Sequence, residues 1–205
     1  MKPLLSLLSR LLGEFLYYAV AVTIPFFAAL FDILHLAKIE EETSAIELSQ
    51  SFFLLVIIIL FVKLLRKMPE YKGGLALCAG FIATMFIREQ DNHFDKIQHG
   101  SWFYAALIVT VFTLWYAYKH RQTVISGLTF FSEQKEYGTF LAGLLVTLVT
   151  SRLLGKTSLW EAILGEHYNN LAKVLAEEYT ELVGYSLMLF AMLKLYRRLH
   201  QGYFS

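Results

Sequence analysis

A chain of 205 residues that is 57% hydrophobic and only 17% charged carries more apolar surface than one water-soluble core of that size can hide. The surplus requires lipid as a neighbour, which excludes an ordinary water-soluble domain. The net charge of +1 points to no nucleic-acid partner, and a lone cysteine, Cys78, excludes a disulfide within the chain.

The first segment, 1–14, opens on Lys2 and sets leucines at 4, 5, 7, 8, 11 and 12, broken by Arg10 and Glu14. No small-residue cleavage pattern follows, so the segment is expected to be retained. It is predicted as a short amphipathic helix lying along the membrane interface.

Six apolar segments follow, each near the roughly 20 residues that cross a bilayer. They are 15–36, 47–65, 73–90, 101–119, 138–155 and 178–196. The expected fold is an all-α integral membrane protein, a six-transmembrane-helix bundle forming a single domain over 15–198, with a cytoplasmic tail at 199–205. Pro25 is expected to kink the first span. Gly138 and Gly143 suit close helix packing in the fifth. The connection 156–177 has room for a short surface helix. Tyr17, Tyr18, Trp102, Tyr104, Trp115, Tyr116, Tyr118 and Tyr196 sit near span ends, as interfacial aromatic belts do.

Charge then orients the bundle. The N-terminus, the 63–72 and 119–137 loops and the C-terminus hold twelve of the 18 Lys and Arg but only four of the 17 acids. Basic loops stay cytoplasmic, so both termini are placed there, in the pattern of a bacterial inner (plasma) membrane protein.

The opposite, periplasmic face collects the unusual polar residues. The second span starts Glu47-Leu-Ser-Gln50, and the third ends Arg88-Glu89-Gln-Asp91. Asp95 and His99 follow, then Trp102. Arg152 ends the fifth span, and Glu177, Glu178, Glu181 and Tyr185 open the sixth. Glu177, Glu181 and Tyr185 are four apart and share a helical face, as Asp91, Asp95 and His99 would on a continued helix. Carboxylates facing hydrocarbon are expensive, so these should point into the bundle.

Three readings stay open for this cluster. One is a structural ion-pair network. The second is a metal centre, with Asp91, Asp95, His99 and Glu177 as oxygen and imidazole ligands of a divalent metal ion. The third is an anion site in which Arg88, Arg152, Gln50, Trp102 and Tyr185 hold an anionic lipid or lipid-linked substrate. In an enzyme, Glu47, Glu89, Glu178 and Glu181 would be the catalytic carboxylates of a metal-assisted hydrolase or transferase. A transporter or ion-coupled carrier and a non-catalytic membrane subunit are the competing classes. Asp32 and His35, one turn apart, read as a local hydrogen-bonded pair. His93, His120, His167 and His200 read as surface residues. The chain holds no Gly-rich phosphate loop, nucleophile elbow or His-Glu-x-x-His motif.

Overall fold

The computed structural model describes residues 2–36 and 44–203. Among them every regular element is helical. The order is α1 (Lys2–Phe31), α2 (Ala45–Lys67), α3 (Lys72–Arg88), α4 (Asp91–Asp95), α5 (Trp102–Lys119), α6 (Val124–Ser132), α7 (Tyr137–Leu145), α8 (Ser151–Leu154), α9 (Thr157–Leu164) and α10 (Asn170–Tyr203). A π-helical turn, Asp32–Leu36, follows α1, and another, Val146–Thr150, joins α7 to α8.

Three stretches are long and apolar enough to cross a membrane: Leu4–Leu34, Ala45–Lys67 and Tyr137–Leu154. The other three expected spans fall short for visible reasons. Helix α3 has 17 residues. Helix α5 spends its ends on Trp102, Tyr104, Trp115, Tyr118 and Lys119. Helix α10 spends its first turns on Lys173, Glu177, Glu178 and Glu181.

The N-terminal segment 1–14, expected as a separate interfacial helix, is instead continuous with the first long helix from Lys2 onward. Nothing between Leu4 and Phe31 forces a break. Pro25 sits inside α1 without ending it.

Helix α2 starts where two side chains cap it. Ser44 Oγ accepts from the Glu47 amide at 3.1 Å. The fully buried Asp32 carboxylate accepts from the Ala45 and Ile46 amides at 2.6 and 3.0 Å. Carboxylates at helix N-termini satisfy orphan donors and meet the positive end of the dipole. Asp32 therefore tethers α1 to α2; its expected partner His35 has a side chain outside the described residues, as do Glu40 to Glu42.

The core sits where α10 packs on α1, α2 and α7, and α2 on α3. Along α2 the buried residues Ile46, Gln50, Phe53, Leu54, Ile57, Phe61 and Leu64 recur at helical spacing. Its opposite face, Leu48, Phe52, Leu55 and Ile59, is just as apolar and exposed. Helix α10 answers with Leu182, Tyr185, Met188, Met192 and Leu195.

Helices α7 and α10 cross at two glycines. A Cβ on Gly143 would lie 2.5 Å from the Gly184 carbonyl, and one on Gly184 would lie 2.6 Å from the Gly143 carbonyl. Gly138, the other candidate for close packing, has nothing within 4 Å of a would-be Cβ. The 156–177 connection carries α9, the expected short helix.

Candidate functional site

The helices collect carboxylates and guanidiniums at one end of the bundle, here called the acidic end. The other, basic end carries Lys63, Arg66, Lys67 and Arg198.

Glu181 is the centre of the acidic end. It lies in the fourth turn of α10 and is 2% exposed. Arg152 donates to its Oε1 and, through Nη1, to Glu177 Oε1 at 2.6 Å. Arg88 Nη2 stands 3.8 Å from the same Glu181 oxygen. Ser151 Oγ stands 3.3 Å from it.

The π-helical turn ahead of α8 makes this possible. Its extra residue per turn brings Thr147, Ser151 and Arg152 all to the α10 side. Thr147 Oγ1 reaches the Glu181 carbonyl at 3.4 Å, and Ser151 donates back to the Thr147 carbonyl. The Arg152 bonds to Glu177 and Glu181, guanidinium to carboxylate, are charge-assisted and belong to the strong class.

Two further carboxylates sit beside the pair. Gln50 Nε2 donates to Glu178 Oε2 at 2.9 Å and to the Glu178 carbonyl at 3.1 Å, fastening α2 to α10. Tyr185 OH donates to Glu89 Oε1 at 2.8 Å, fastening α10 to α3. One turn of α10 thus separates the tyrosine that binds Glu89 from the glutamate that binds both arginines. A cavity of about 200 Å³ opens here, lined by Thr84, Arg88, Glu89, Trp102, Leu148 and Tyr185 among others. Trp102, at the start of α5, is part of its wall.

Of the expected site residues, Arg88, Glu89, Arg152, Glu177, Glu178, Glu181, Gln50, Trp102 and Tyr185 are therefore drawn to one place. Glu47 lies half-buried in the first turn of α2, one turn from Gln50, with its amide held by Ser44.

The other expected metal ligands do not join. Asp91 begins the five-residue α4, its carboxylate accepting from the Asn92 amide at 2.8 Å, and its charge acts on Arg88. Asp95 accepts from the Gly100 amide at 2.8 Å and pairs with His99 Nδ1 at 2.7 Å. His99 is 97% exposed. The Gly100 amide, with the His99 ring, holds the Asp95 carboxyl below its ordinary value. Gly100, at a φ of 78°, lets the chain turn back to make that bond. This is a capped surface turn, not the continued helix that would align all three donors.

Among the described residues, no three of His, Cys, Asp and Glu stand as a metal-ligating group. At the acidic end arginine, tyrosine and glutamine each hold one oxygen of these carboxylates: Arg152 on Glu177 and Glu181, Tyr185 on Glu89 and Gln50 on Glu178. Asp91, Asp95 and His99 do not converge with Glu177, so the ligand set that their spacing suggested does not form among the described residues.

Sequence reasoning missed Ser151 and Thr147. Both are small, uncharged and set in an apolar run. Only their adjacency to Arg152 could have drawn attention to them.

No protein-family model, no curated protein and no solved structure matches the chain.

Proposed function

We propose that the chain crosses the membrane six times with both ends in the cytoplasm. Its acidic end then faces outward and binds the polar head of an amphipathic, lipid-linked substrate, on which Glu89 acts as acid–base.

Support for the six crossings comes from α5 above all. Phe103, Leu107, Ile108, Val111, Phe112 and Leu114 are exposed on it, and Ala117 is its single buried residue. A helix apolar all round that its own chain covers mainly on the α3 side suits lipid, with its terminal tryptophans and tyrosines at the interfaces. Helix α3 lies between α2 and α5 and, at about 25 Å long, suits a slightly thinned or polar-flanked span. A reporter fused at Ser205 and one inserted at Asn169 should then fall on opposite sides. The same side for both would remove one crossing.

The observation that carries the substrate reading is the cavity at the acidic end. It brings a guanidinium, a carboxylate, an indole and a phenol to the edge of an apolar bundle. Small-molecule sites combine apolar walls with a few convergent polar groups in this way. Arg88 stands 3.8 Å from Glu181 and is 38% exposed, and a guanidinium carries five N–H donors, enough to serve an anionic head as well. Trp102 offers a face on which a head group can stack. Glu89 accepts the Tyr185 proton bond on one oxygen. Its other oxygen can take a proton from water or from a substrate hydroxyl as that oxygen attacks, and return it to the leaving group.

A carrier is the second reading. Four carboxylates, Glu89, Glu177, Glu178 and Glu181, face two guanidiniums, a surplus that a bound proton or cation would balance. Against a conducting path, α10 continues inward from Tyr185 through buried Met188, Leu189 and Met192.

The test uses the part of the tryptophan emission that disappears in Trp102→Phe. Adding phospholipids of different head groups to the full chain in detergent should shift that component. Arg88→Gln should weaken the response about tenfold, the equivalent of one charge-assisted hydrogen bond. Glu89→Gln should bind but not turn over. An emission insensitive to the head group would end the reading.

A further inference from the structure

At the basic end, α1 and α10 run side by side. At 30 and 34 residues they are about 45 and 51 Å long, well beyond the roughly 30 Å hydrocarbon core of a bilayer. Both therefore extend through the head-group layer. Between them lies a cavity of about 330 Å³, lined by Glu14 and Tyr17 from α1 and by Lys194, Arg197, Arg198 and Gln201 from α10. Gly13 also borders it, with nothing within 4 Å of a would-be Cβ, so the α1 wall is low there.

The charges in this cleft do not balance. Arg198 is taken by Glu136, through Nε at 3.1 Å and Nη2 at 2.8 Å, and by Gln134 at 2.7 Å. Lys194 is ion-paired with Glu14 and lies over the Tyr18 ring, 5.3 Å from its centre. Arg197 is exposed and, among the described residues, has no ion-pair partner. One guanidinium is left over, with an ammonium beside it that already shares its carboxylate.

The floor of the cleft is fixed. Tyr17 OH donates to the Phe190 carbonyl at 2.8 Å, and the two rings meet at 5.1 Å. Further along α1, toward its middle, Leu16 and Val20 are exposed apolar residues on the same helix.

We propose that this cleft is a binding site for an anionic phospholipid of the leaflet at the basic end. The phosphodiester sits between Arg197 and Lys194, and the acyl chains lie along Leu16 and Val20. Basic pockets between spanning helices recognise anionic head groups through this combination of charge and adjacent apolar surface. A phosphodiester brings the single negative charge that Arg197 lacks. A zwitterionic head would bring an ammonium toward Lys194 and Arg197, with Glu14 already committed. Free phosphate would satisfy the cations but use none of the apolar surface. The site depends on α1 and α10 crossing a membrane and is independent of the cavity at the acidic end.

The experiment uses the full chain in detergent, with bound lipid counted by native mass spectrometry. The probes are phosphatidylglycerol, phosphatidylcholine of the same acyl chains, and inorganic phosphate. Phosphatidylglycerol should bind the more tightly of the two lipids. Arg197→Gln should weaken it about fivefold, the worth of one basic residue near an anionic surface, and Lys194→Gln with Arg197→Gln should weaken it further. Phosphatidylcholine should be indifferent to both changes, and millimolar phosphate should not displace the lipid. Removing Lys194 strands Glu14, so Arg197→Gln alone decides if the double variant does not fold. Equal binding of both lipids, or full retention in Arg197→Gln, would overturn the proposal. Displacement by phosphate would make it a phosphate site and overturn the lipid. Loss of phosphatidylglycerol in Arg88→Gln but not in Arg197→Gln would move the lipid to the acidic end and equally overturn this site.

Discussion

Replacing Glu181 by glutamine keeps the side chain's shape and removes its charge. The carboxylate is 2% exposed, and both arginines lean on one of its oxygens. Breaking a fully buried ion pair costs about 3–5 kcal/mol, because the partner is left uncompensated. Here the guanidiniums are 40% and 38% exposed, and Arg152 keeps Glu177 at 2.6 Å, so water and the second carboxylate recover part of the loss. The expected cost is about 2–3 kcal/mol. For a chain of this length that lowers the melting temperature by about 4–12 °C.

Cys78 supplies the assay. It is the lone cysteine and lies half-buried beside the cavity between α3, α6 and α7, so a thiol-reactive fluorophore reads its exposure on unfolding. The double variant Arg152→Gln/Glu181→Gln should melt higher than the sum of the single losses predicts, by a coupling of about 1–2 kcal/mol. A Glu181→Gln melting temperature within about 1 °C of the parent, or strict additivity, would refute the reasoning. The carboxylate would then not be the hub of the acidic end.

Three further outcomes follow from the geometry. Gly184→Ala should lower the melting temperature, since its Cβ would press on the Gly143 carbonyl and on Thr147, whereas Gly138→Ala should be neutral or gain up to about 1 kcal/mol of helix propensity. Burial pushes the Glu136 carboxyl up, but the hydrogen bonds and charge of Arg198 outweigh it and hold the group below the ordinary glutamate range. A depressed folded value means the stabilisation is fully present above the unfolded glutamate pKa of about 4.3 and is lost as pH falls through the folded value. Thermal melts by circular dichroism should therefore hold level down to about pH 5 and then decline, with a shallower decline in Arg198→Gln; an unchanged acid limb in that variant would contradict the pairing. Because Asp95 and His99 form an exposed turn that no third ligating side chain joins among the described residues, chelator treatment and His99→Ala should each leave the melting temperature unchanged, and a chelator-induced drop would reinstate a metal site.

Local properties of the chain were enough to place most helices. The apolar runs at 47–65, 73–90 and 101–119 match α2, α3 and α5 to within a residue or two, because length, apolarity and flanking charge act over one helix at a time. The same reasoning identified which residues were out of place in an apolar chain, since a carboxylate near hydrocarbon is costly wherever it sits. It failed where the outcome depended on how helices rotate and meet. Asp91, Asp95 and His99 have helical spacing, but the Gly100 amide captures Asp95 and closes a turn instead. Nothing in its local sequence marked Asp32 as the cap of the next helix, thirteen residues on. Gly184 faces Gly143 across a crossing that neither helix's sequence announces. Arg152 reaches Glu181 because a π-helical turn rotates it there, and Ser151 and Thr147 come with it. Periodicity gives each side chain a face on its own helix. The azimuth and depth at which two helices settle are fixed by packing across the whole bundle, and that alone decides which carboxylate finds which arginine.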